Sequence, residues 1–535
     1  MNLQLLSSKI KEGKTSLGIE LGSTRIKAVL ITDDFQTIAT GTYDWENELN
    51  NDVWTYSLNE AWKGIQSCYA QIAADIQSKF HISLTEIGVV GVSAMMHGYL
   101  PFSKEGKLLV PFRTWRNNIT EKAASQLTSL FEFNIPQRWS IAHLYQAILN
   151  DEKHVYDIDY LTTLAGYIHW KLSGKKVIGI GDASGMFPLN GSAGEYSISC
   201  LKEFNNLKAV KKYSWKINDI LPKIIKAGMP AGKLTSNGAR LLDSSGILHS
   251  GSVMAPPEGD AGTGMVATNS VREKTGNISV GTSAFSMIVL DAPLQRVHQD
   301  IDVVTTPDGI DVAMVHTNNC TSDINSWMNI FKEFANRLGI NITNNELYEK
   351  AFLQTTRADS DAGGLISYGY LSGENITRMP AGRPLIVRRP ESKLTFANFM
   401  LVHLYSAFAP LKIGMDILIN EENVKMQALI AQGGLFKTPV IAQQVLADAL
   451  NTPITIMKSA EEGGPWGMAV LGAFVLFNLN NNLKKNLADF LDQNVFVNPE
   501  TMTLTPEEEG VEGYKKFIKE YKNGLIIETA AIKSL

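Results

Sequence analysis

The sequence predicts an α/β protein built from two related halves, and three observations carry that prediction. Residues 17–31, LGIELGSTRIKAVLI, place a Gly-Ser-Thr turn between two apolar runs, which reads as a β-hairpin with a polar tip. Residues 278–290, ISVGTSAFSMIVL, repeat the plan with Gly-Thr-Ser at the tip, about half the chain later. Between and after the hairpins, strand-like and helix-like segments alternate, the pattern of layered α/β structure. Two such hairpins, each opening a half of similar size, imply related domains with equivalent loops facing a shared cleft.

The elements follow in order. The first fourteen residues read as an arm or frayed helix. Residues 60–79 carry helical periodicity through Trp62, Ile65, Tyr69, Ile72 and Ile76. Residues 86–93, EIGVVGVS, read as a buried strand. In the second half, Ala428–Ala431 is a short strand, QGG a turn and 438–450 a helix, with Thr438 as its N-cap and Pro439 as its first residue. A last helix over about 506–524 puts Tyr514, Phe517, Ile518 and Tyr521 on one face, which packs back on the body.

Composition excludes several classes. The chain has 535 residues, 44% apolar and 19% charged, with a formal net charge of −5 and no long run of one sign. That balance suits an ordinary globular protein and argues against a dedicated nucleic-acid surface. Cys68, Cys200 and Cys320 form no CxxC pair and no zinc spacing, which suits a reducing compartment. The N-terminal residues lack a signal-peptide core, and no stretch approaches the length of a membrane span, so the expected location is the cytoplasm.

The hairpin tips are candidate phosphate clamps. Small residues let the backbone approach a phosphate, and hydroxyl and N–H groups supply donors. Gly13-Lys14-Thr15 only imitates the end of a P-loop, because Ser8 stands where its first glycine belongs. GIGDASG, 179–185, has the wrong glycine spacing for a dinucleotide fingerprint and no clear strand leading into it. In APPEGDAGTG, 255–264, Asp260 lies between Gly259 and Gly262, which by itself reads first as a surface Asx-turn and otherwise as a carboxylate placed to take a proton from an attacking hydroxyl. Glu258 reads as a solvated surface acid. In AMMHG, 94–98, His97 follows a strand, the place where open α/β sheets bind ligands, with Met95 or Met96 to pack on a carbon skeleton. The glycines of AQGG, 431–434, suit a strand-to-helix connection or the close approach of a purine.

Taken together, these segments resemble the FGGY carbohydrate kinases of the actin-like ATPase superfamily, and within them most nearly the xylulokinase branch. The likeness rests on GIELGS at 18–23, SAMMHG at 93–98, GDASG at 181–185 and LPKIIKAGMPAGKLT at 221–235. It continues with EGDAGTGM at 258–265, VGTS at 280–283, YLSGEN at 370–375 and AQGGLFKTPVIAQQVLADAL at 431–450. The resemblance implies two actin-like (ribonuclease H-like) domains around a central cleft. A sugar-binding domain spans 15–265 and a nucleotide-binding domain 266–485. An arm over 1–14 and a C-terminal extension over 486–535 flank them. It makes Asp260 the catalytic base and assigns Met96, His97, Trp115, Asn117 and Asp260 to the sugar. Gly22, Ser23, Thr24, Gly281, Thr282 and Ser283 go to the phosphates of ATP, and Gly433 and Gly434 to its adenosine.

The chain departs from the family pattern in three places. Glu20 stands where the family has Asp at the magnesium site, acting through water. The family's Trp-Asn-Asp-x-Arg appears as Trp115-Arg116-Asn117-Asn118-Ile119, and Gly-Glu-Arg as Gly373-Glu374-Asn375. The expected function is Mg-ATP-dependent phosphorylation of a ketose or polyol hydroxyl, with D-xylulose to xylulose 5-phosphate leading. Ribulose, a tetrulose and glycerol are the rival acceptors, and a non-catalytic nucleotide-binding regulator is the rival class. The expected partners are a sugar or polyol and ATP, with no nucleic acid, no membrane and a homodimer left open.

Overall fold

The computed structural model describes residues 3–190, 193–438, 440–457, 463–481 and 485–535. The chain forms two compact units: Met1–Val271, Val303–Val312 and Glu461–Asn498 in the first, and Arg272–Asp302, Ala313–Ala460 and Pro499–Leu535 in the second.

The first unit is organised by a mixed sheet in the order Val253–Met254, Val89–Ala94, Thr15–Leu21, Arg25–Thr32, Thr37–Asp44. Thr15–Leu21 pairs antiparallel with Arg25–Thr32 and parallel with Val89–Ala94. Thr15–Leu21 is almost wholly buried and Val89–Ala94 entirely so, because helices cover both faces. The helix Leu58–Phe80, capped by Ser57, packs on the outer hairpin strands. The helix Gly463–Asn481 lies on the central strands so closely that a Cβ built on Gly18 would sit 2.0 Å from the Pro465 carbonyl oxygen. Only glycine permits that approach.

The second unit repeats the plan. Thr275–Val280 pairs antiparallel with Ala284–Val289 and parallel with Ala428–Gly433, which continues to Ile454–Met457 and Thr501–Leu504. The helix Phe396–Asp416 lies in its core.

The segment 463–481 lies in the first unit, where its apolar helix packs on the first sheet, and the units divide after Val271 and after Asn498. Expectations about single elements are corrected. Residues 3–11 form a helix with Leu6 and Ile10 buried, so the N-terminal segment is docked. Among the described residues one helix, Phe396–Glu421, is long and apolar enough by length and composition to cross a membrane, and 72% of its most apolar stretch is buried inside the protein. The final helix runs farther than expected, Glu508–Ser534, with the four predicted aromatic and aliphatic side chains buried. Ile441–Leu450 starts after Val440, which displaces Thr438 as N-cap. Pro439 lies outside the described residues.

Candidate active site

Strand register builds the centre of the first unit. Leu21 pairs with Ala94, and Ala94 pairs in parallel with Gly259. The Met95 N–H donates to the Leu21 carbonyl at 3.0 Å. Three chain segments therefore leave the sheet together at the carboxyl ends of neighbouring strands: the Gly22-Ser23-Thr24 tip, Met95-Met96-His97, and Asp260. That is where open α/β sheets bind ligands.

Asp260 is half-buried and opens the helix Asp260–Ala267. Burial pushes its carboxyl up to about 6, against the pull of N–H groups that favour the charged form. The Met96 N–H donates to Oδ1 at 3.3 Å and the Ala261 N–H at 3.0 Å. The group is thus an ionised acceptor at neutral pH with a basicity suited to taking a hydroxyl proton.

Met96 and His97 are buried beside it. A Cβ on Gly259 would lie 2.2 Å from the Met96 Cγ, so glycine before the aspartate lets the methionine close on it. His97 has φ +69, a conformation rare for any residue but glycine. Its Nδ1 lies 3.2 Å from the Gly185 carbonyl, and its ring stacks on Trp139 with centroids 6.3 Å apart. A carbonyl only accepts, so the His97 Nδ1 carries the proton of this hydrogen bond.

Glu20 is half-buried, yet burial and the charge of Asp260 push its carboxyl up to about 8, with Lys27 opposing. Its Oε2 points at the first turn of the helix Gly463–Asn481, where a Cβ on Gly464 would be 1.5 Å away and 3.1 Å from the Thr263 Oγ1. Among the described residues no cluster of three or more His, Cys, Asp or Glu side chains is arranged for a metal ion. Glu20, whose proton affinity the charge of Asp260 raises, and Asp260 itself nonetheless fit magnesium, which takes one or two carboxylates and completes its shell with water and phosphate.

The hairpin tip is held from behind. The Gly22 carbonyl accepts from the Trp45 indole N–H at 2.7 Å, the Ser23 carbonyl from the Tyr56 hydroxyl at 2.7 Å, and the Thr24 carbonyl from the Trp45 N–H at 3.2 Å. The Trp45 and Tyr56 rings also pack together at a tilt of 31°, with centroids 4.4 Å apart. With all three carbonyls turned inward, Ser23 and Thr24 stay exposed. Aromatics this far along the chain leave no mark in the tip's own sequence.

Trp115 packs at the edge of the same core. The Asn117 amide is spent on backbone. Its Oδ1 accepts from the Trp54 N–H, and its Nδ2 donates to the Trp54 and Thr114 carbonyls at 2.8 and 3.0 Å. It holds the backbone of Trp54, over whose ring the Arg116 guanidinium lies at 3.8 Å.

In the second unit the Gly281 N–H closes the tip on the Ser283 carbonyl at 2.8 Å. Val280 pairs with Gly433, which ends a strand, so QG continues the strand where a turn was expected and Gly434–Lys437 is a short 3-10 helix. Gly433 has φ +129, and a Cβ there would lie 1.9 Å from the Val280 oxygen. Gly434 has open space where its Cβ would be.

This repeated arrangement is matched by two family models, the N-terminal domain of the FGGY family of carbohydrate kinases over residues 15–251 and its C-terminal domain over 276–476. The chain belongs to the FGGY family of carbohydrate kinases. A Haemophilus influenzae protein named xylulose kinase is 22% identical over 470 residues, 85% of this chain and 89% of its own. The crystal structure of a xyloylose kinase from Brucella ovis superposes with a TM-score of 0.77 at 17% identity, covering 97% of this chain and 100% of the other. A ligand-bound xylulose kinase from Lactobacillus acidophilus gives 0.76 at 18%, covering 97% and 98%. These solved structures share the fold of this chain.

Two acids of this FGGY kinase escape a reading by sequence. Glu258 is 1% exposed, which corrects its assignment as a surface acid. Its carboxyl oxygens accept the Gly181 and Asp182 N–H groups at 3.3 and 3.1 Å. A strand, Val177–Gly179, does lead into GIGDASG, paired with Lys223–Ile225. A Cβ on Gly179 or Gly181 would strike the Glu258 carboxyl, so those glycines make room for an acid. Burial and the Asp182 charge push Glu258 up to about 8, and burial brings Asp182 to about 7. One segment, 181–185, thereby ties the turn carrying Asp260 to His97.

Proposed function

We propose that this carbohydrate kinase transfers the γ-phosphoryl group of ATP to a hydroxyl of a five-carbon ketose, D-xylulose first. The observation carrying the proposal is the register that gathers the Gly22 tip, Met96-His97 and Asp260 at one sheet edge. The names of the H. influenzae and L. acidophilus proteins support the choice of sugar. A reducing, cytoplasmic location remains part of the proposal, and Cys68, Cys200 and Cys320 are free and buried.

In this reading Asp260 accepts the proton of the attacking hydroxyl while His97 and Met96 orient the sugar. Asn117 acts by holding Trp54, and Trp115 borders the same region. Glu20 would hold magnesium through water, and the ion when bound neutralises phosphate charge. Ser23, Thr24, Thr282 and Ser283 supply hydroxyl donors to the phosphates. Phosphoryl transfer passes through a loose transition state, so most of the catalysis is positioning and charge stabilisation. Gly433 and Gly434 offer bare backbone to the adenosine.

ADP release measured over a panel of ketoses, aldoses and polyols tests the proposal. The expected result is the largest kcat/KM on D-xylulose. A larger value on ribulose, a tetrulose or glycerol moves the assignment to that acceptor, and no sugar-dependent ADP release overturns it.

A further inference from the structure

The motif YLSGEN, 370–375, has no part in the chemistry above, yet it contains an acid with no exposure at all, Glu374. Its Oε2 accepts three donors: the N–H of Asn318 at 2.9 Å, the N–H of Asn319 at 3.1 Å and the Asn319 Nδ2 at 3.1 Å. Its Oε1 faces the Ile376 N–H at 3.4 Å. A buried carboxylate surrounded this way is a fixed template for the backbone around it.

Asn319 completes the junction. Its Oδ1 accepts the N–H groups of Leu371 and Ser372 at 3.0 and 3.1 Å, and its Nδ2 also reaches the Gly373 carbonyl at 3.3 Å. The turn 318–321 is therefore bolted to 371–374.

The next two residues of that turn grip the second hairpin tip. The Cys320 N–H donates to the Thr282 carbonyl at 2.9 Å. The Gly281 carbonyl accepts from the Thr321 N–H at 3.1 Å and from its hydroxyl at 2.7 Å. The loop's carbonyls are thus drawn into the protein, as Trp45 and Tyr56 draw in those of the first tip. A phosphate oxygen meeting a peptide carbonyl would be repelled, so a loop with its carbonyls turned away is preset for an anion.

We infer that Glu374 and Asn319 are positioning residues for nucleotide binding, presenting the Gly281-Thr282-Ser283 loop to the phosphates of ATP through the turn 318–321. The inference rests on the reading of that loop as a phosphate clamp. Neither residue touches the nucleotide. Loosening either lets the loop carbonyls swing outward, which weakens nucleotide binding and leaves the sugar subsite of the other unit unchanged.

The test compares Glu374→Gln, Thr321→Val, Thr321→Ser and Gly281→Val with wild type by calorimetry of ADP binding and by KM for ATP and for sugar. Glu374→Gln keeps the shape but sets an NH2 group against backbone donors. Thr321→Val removes only the hydroxyl on Gly281, and Thr321→Ser restores it. Gly281→Val adds bulk where the nearest protein atom to a Cβ is the Ser283 oxygen at 3.8 Å. The expected outcome is about a tenfold rise in ADP Kd and ATP KM for Glu374→Gln and Thr321→Val, the scale of one unmade buried hydrogen bond. Sugar KM stays unchanged and Thr321→Ser behaves as wild type. If Gly281→Val weakens ADP but Thr321→Val and a folded Glu374→Gln bind it normally, the inference is overturned and the clamp reading stands. If Gly281→Val binds ADP as wild type does, the clamp reading falls and this inference with it. Should Glu374→Gln not fold, Thr321→Val decides alone.

Discussion

Gly464 makes room for Glu20: a Cβ on the glycine would lie 1.5 Å from Oε2 of the glutamate, a contact no side chain could share. The longer acid at the head of the first hairpin and the bare first turn of a helix more than four hundred residues later are one fitted feature. Gly464→Ala should therefore push the Glu20 carboxylate aside, raise the magnesium requirement and lower kcat about 10- to 100-fold, the scale of an ångström-sized misplacement. Glu20→Asp alone should also raise the magnesium requirement, while the pair Glu20→Asp/Gly464→Ala should recover part of the loss. Magnesium titrations of kcat check this, and wild-type behaviour of Gly464→Ala would remove the fitted-site account.

Asp260→Asn keeps the shape of the base and removes its proton affinity. Turnover should fall about 10² to 10⁴-fold while ADP binding and melting temperature hold. A variant with near-wild-type kcat on the best sugar would show that another group takes the proton.

The pH profile follows from the same carboxyl. Burial holds Asp260 at about 6, above its ordinary range, and it accepts a proton only when ionised. The value of kcat/KM should rise with pH through an apparent pKa near 6 and level off above it. A profile already flat at pH 5 contradicts the assignment.

Glu258 and Asp182 bear on stability in the opposite sense. Both are raised by burial, to about 8 and about 7, so the folded chain binds protons that the unfolded chain releases near pH 4 to 5. Their contribution is fully present below the unfolded values and is lost as pH rises through the folded ones. The first unit's melting temperature should fall between pH 5 and pH 8.5, and Glu258→Gln should flatten that slope. An equal slope in the variant places the proton elsewhere.

The two glycines after the strand Ala428–Gly433 should separate folding from binding. Gly433→Ala meets both a positive φ and the Val280 oxygen, and should cost about 1 to 3 kcal/mol of stability. Gly434→Ala, with open space around its Cβ, should melt as wild type, and any loss should appear in KM for ATP. Equal melting curves for wild type and Gly433→Ala would contradict the strain argument.

Much of the site was legible in the chain because its parts are local. Each hairpin is an apolar run, a small polar tip and a second apolar run, so residues next to each other in sequence define both the turn and the donors it offers. Asp260 stood out by its flanking glycines, and His97 by following a buried strand. Taken by itself, then, the sequence determined the α/β class, the duplicated hairpins and the family. Tertiary structure alone decided what each polar group faces. Glu258 looked like a surface acid until the strand Val177–Gly179 brought two N–H donors to it, and the backbone of Trp54 that meets the Asn117 amide lies more than sixty residues away from it in the chain. Glu374 was one letter of a motif until the turn 318–321 closed on it. The physical reason is that a carboxyl or amide takes its role from the donors, acceptors and dielectric around it, and folding draws these from distant parts of the chain that local pattern cannot pair.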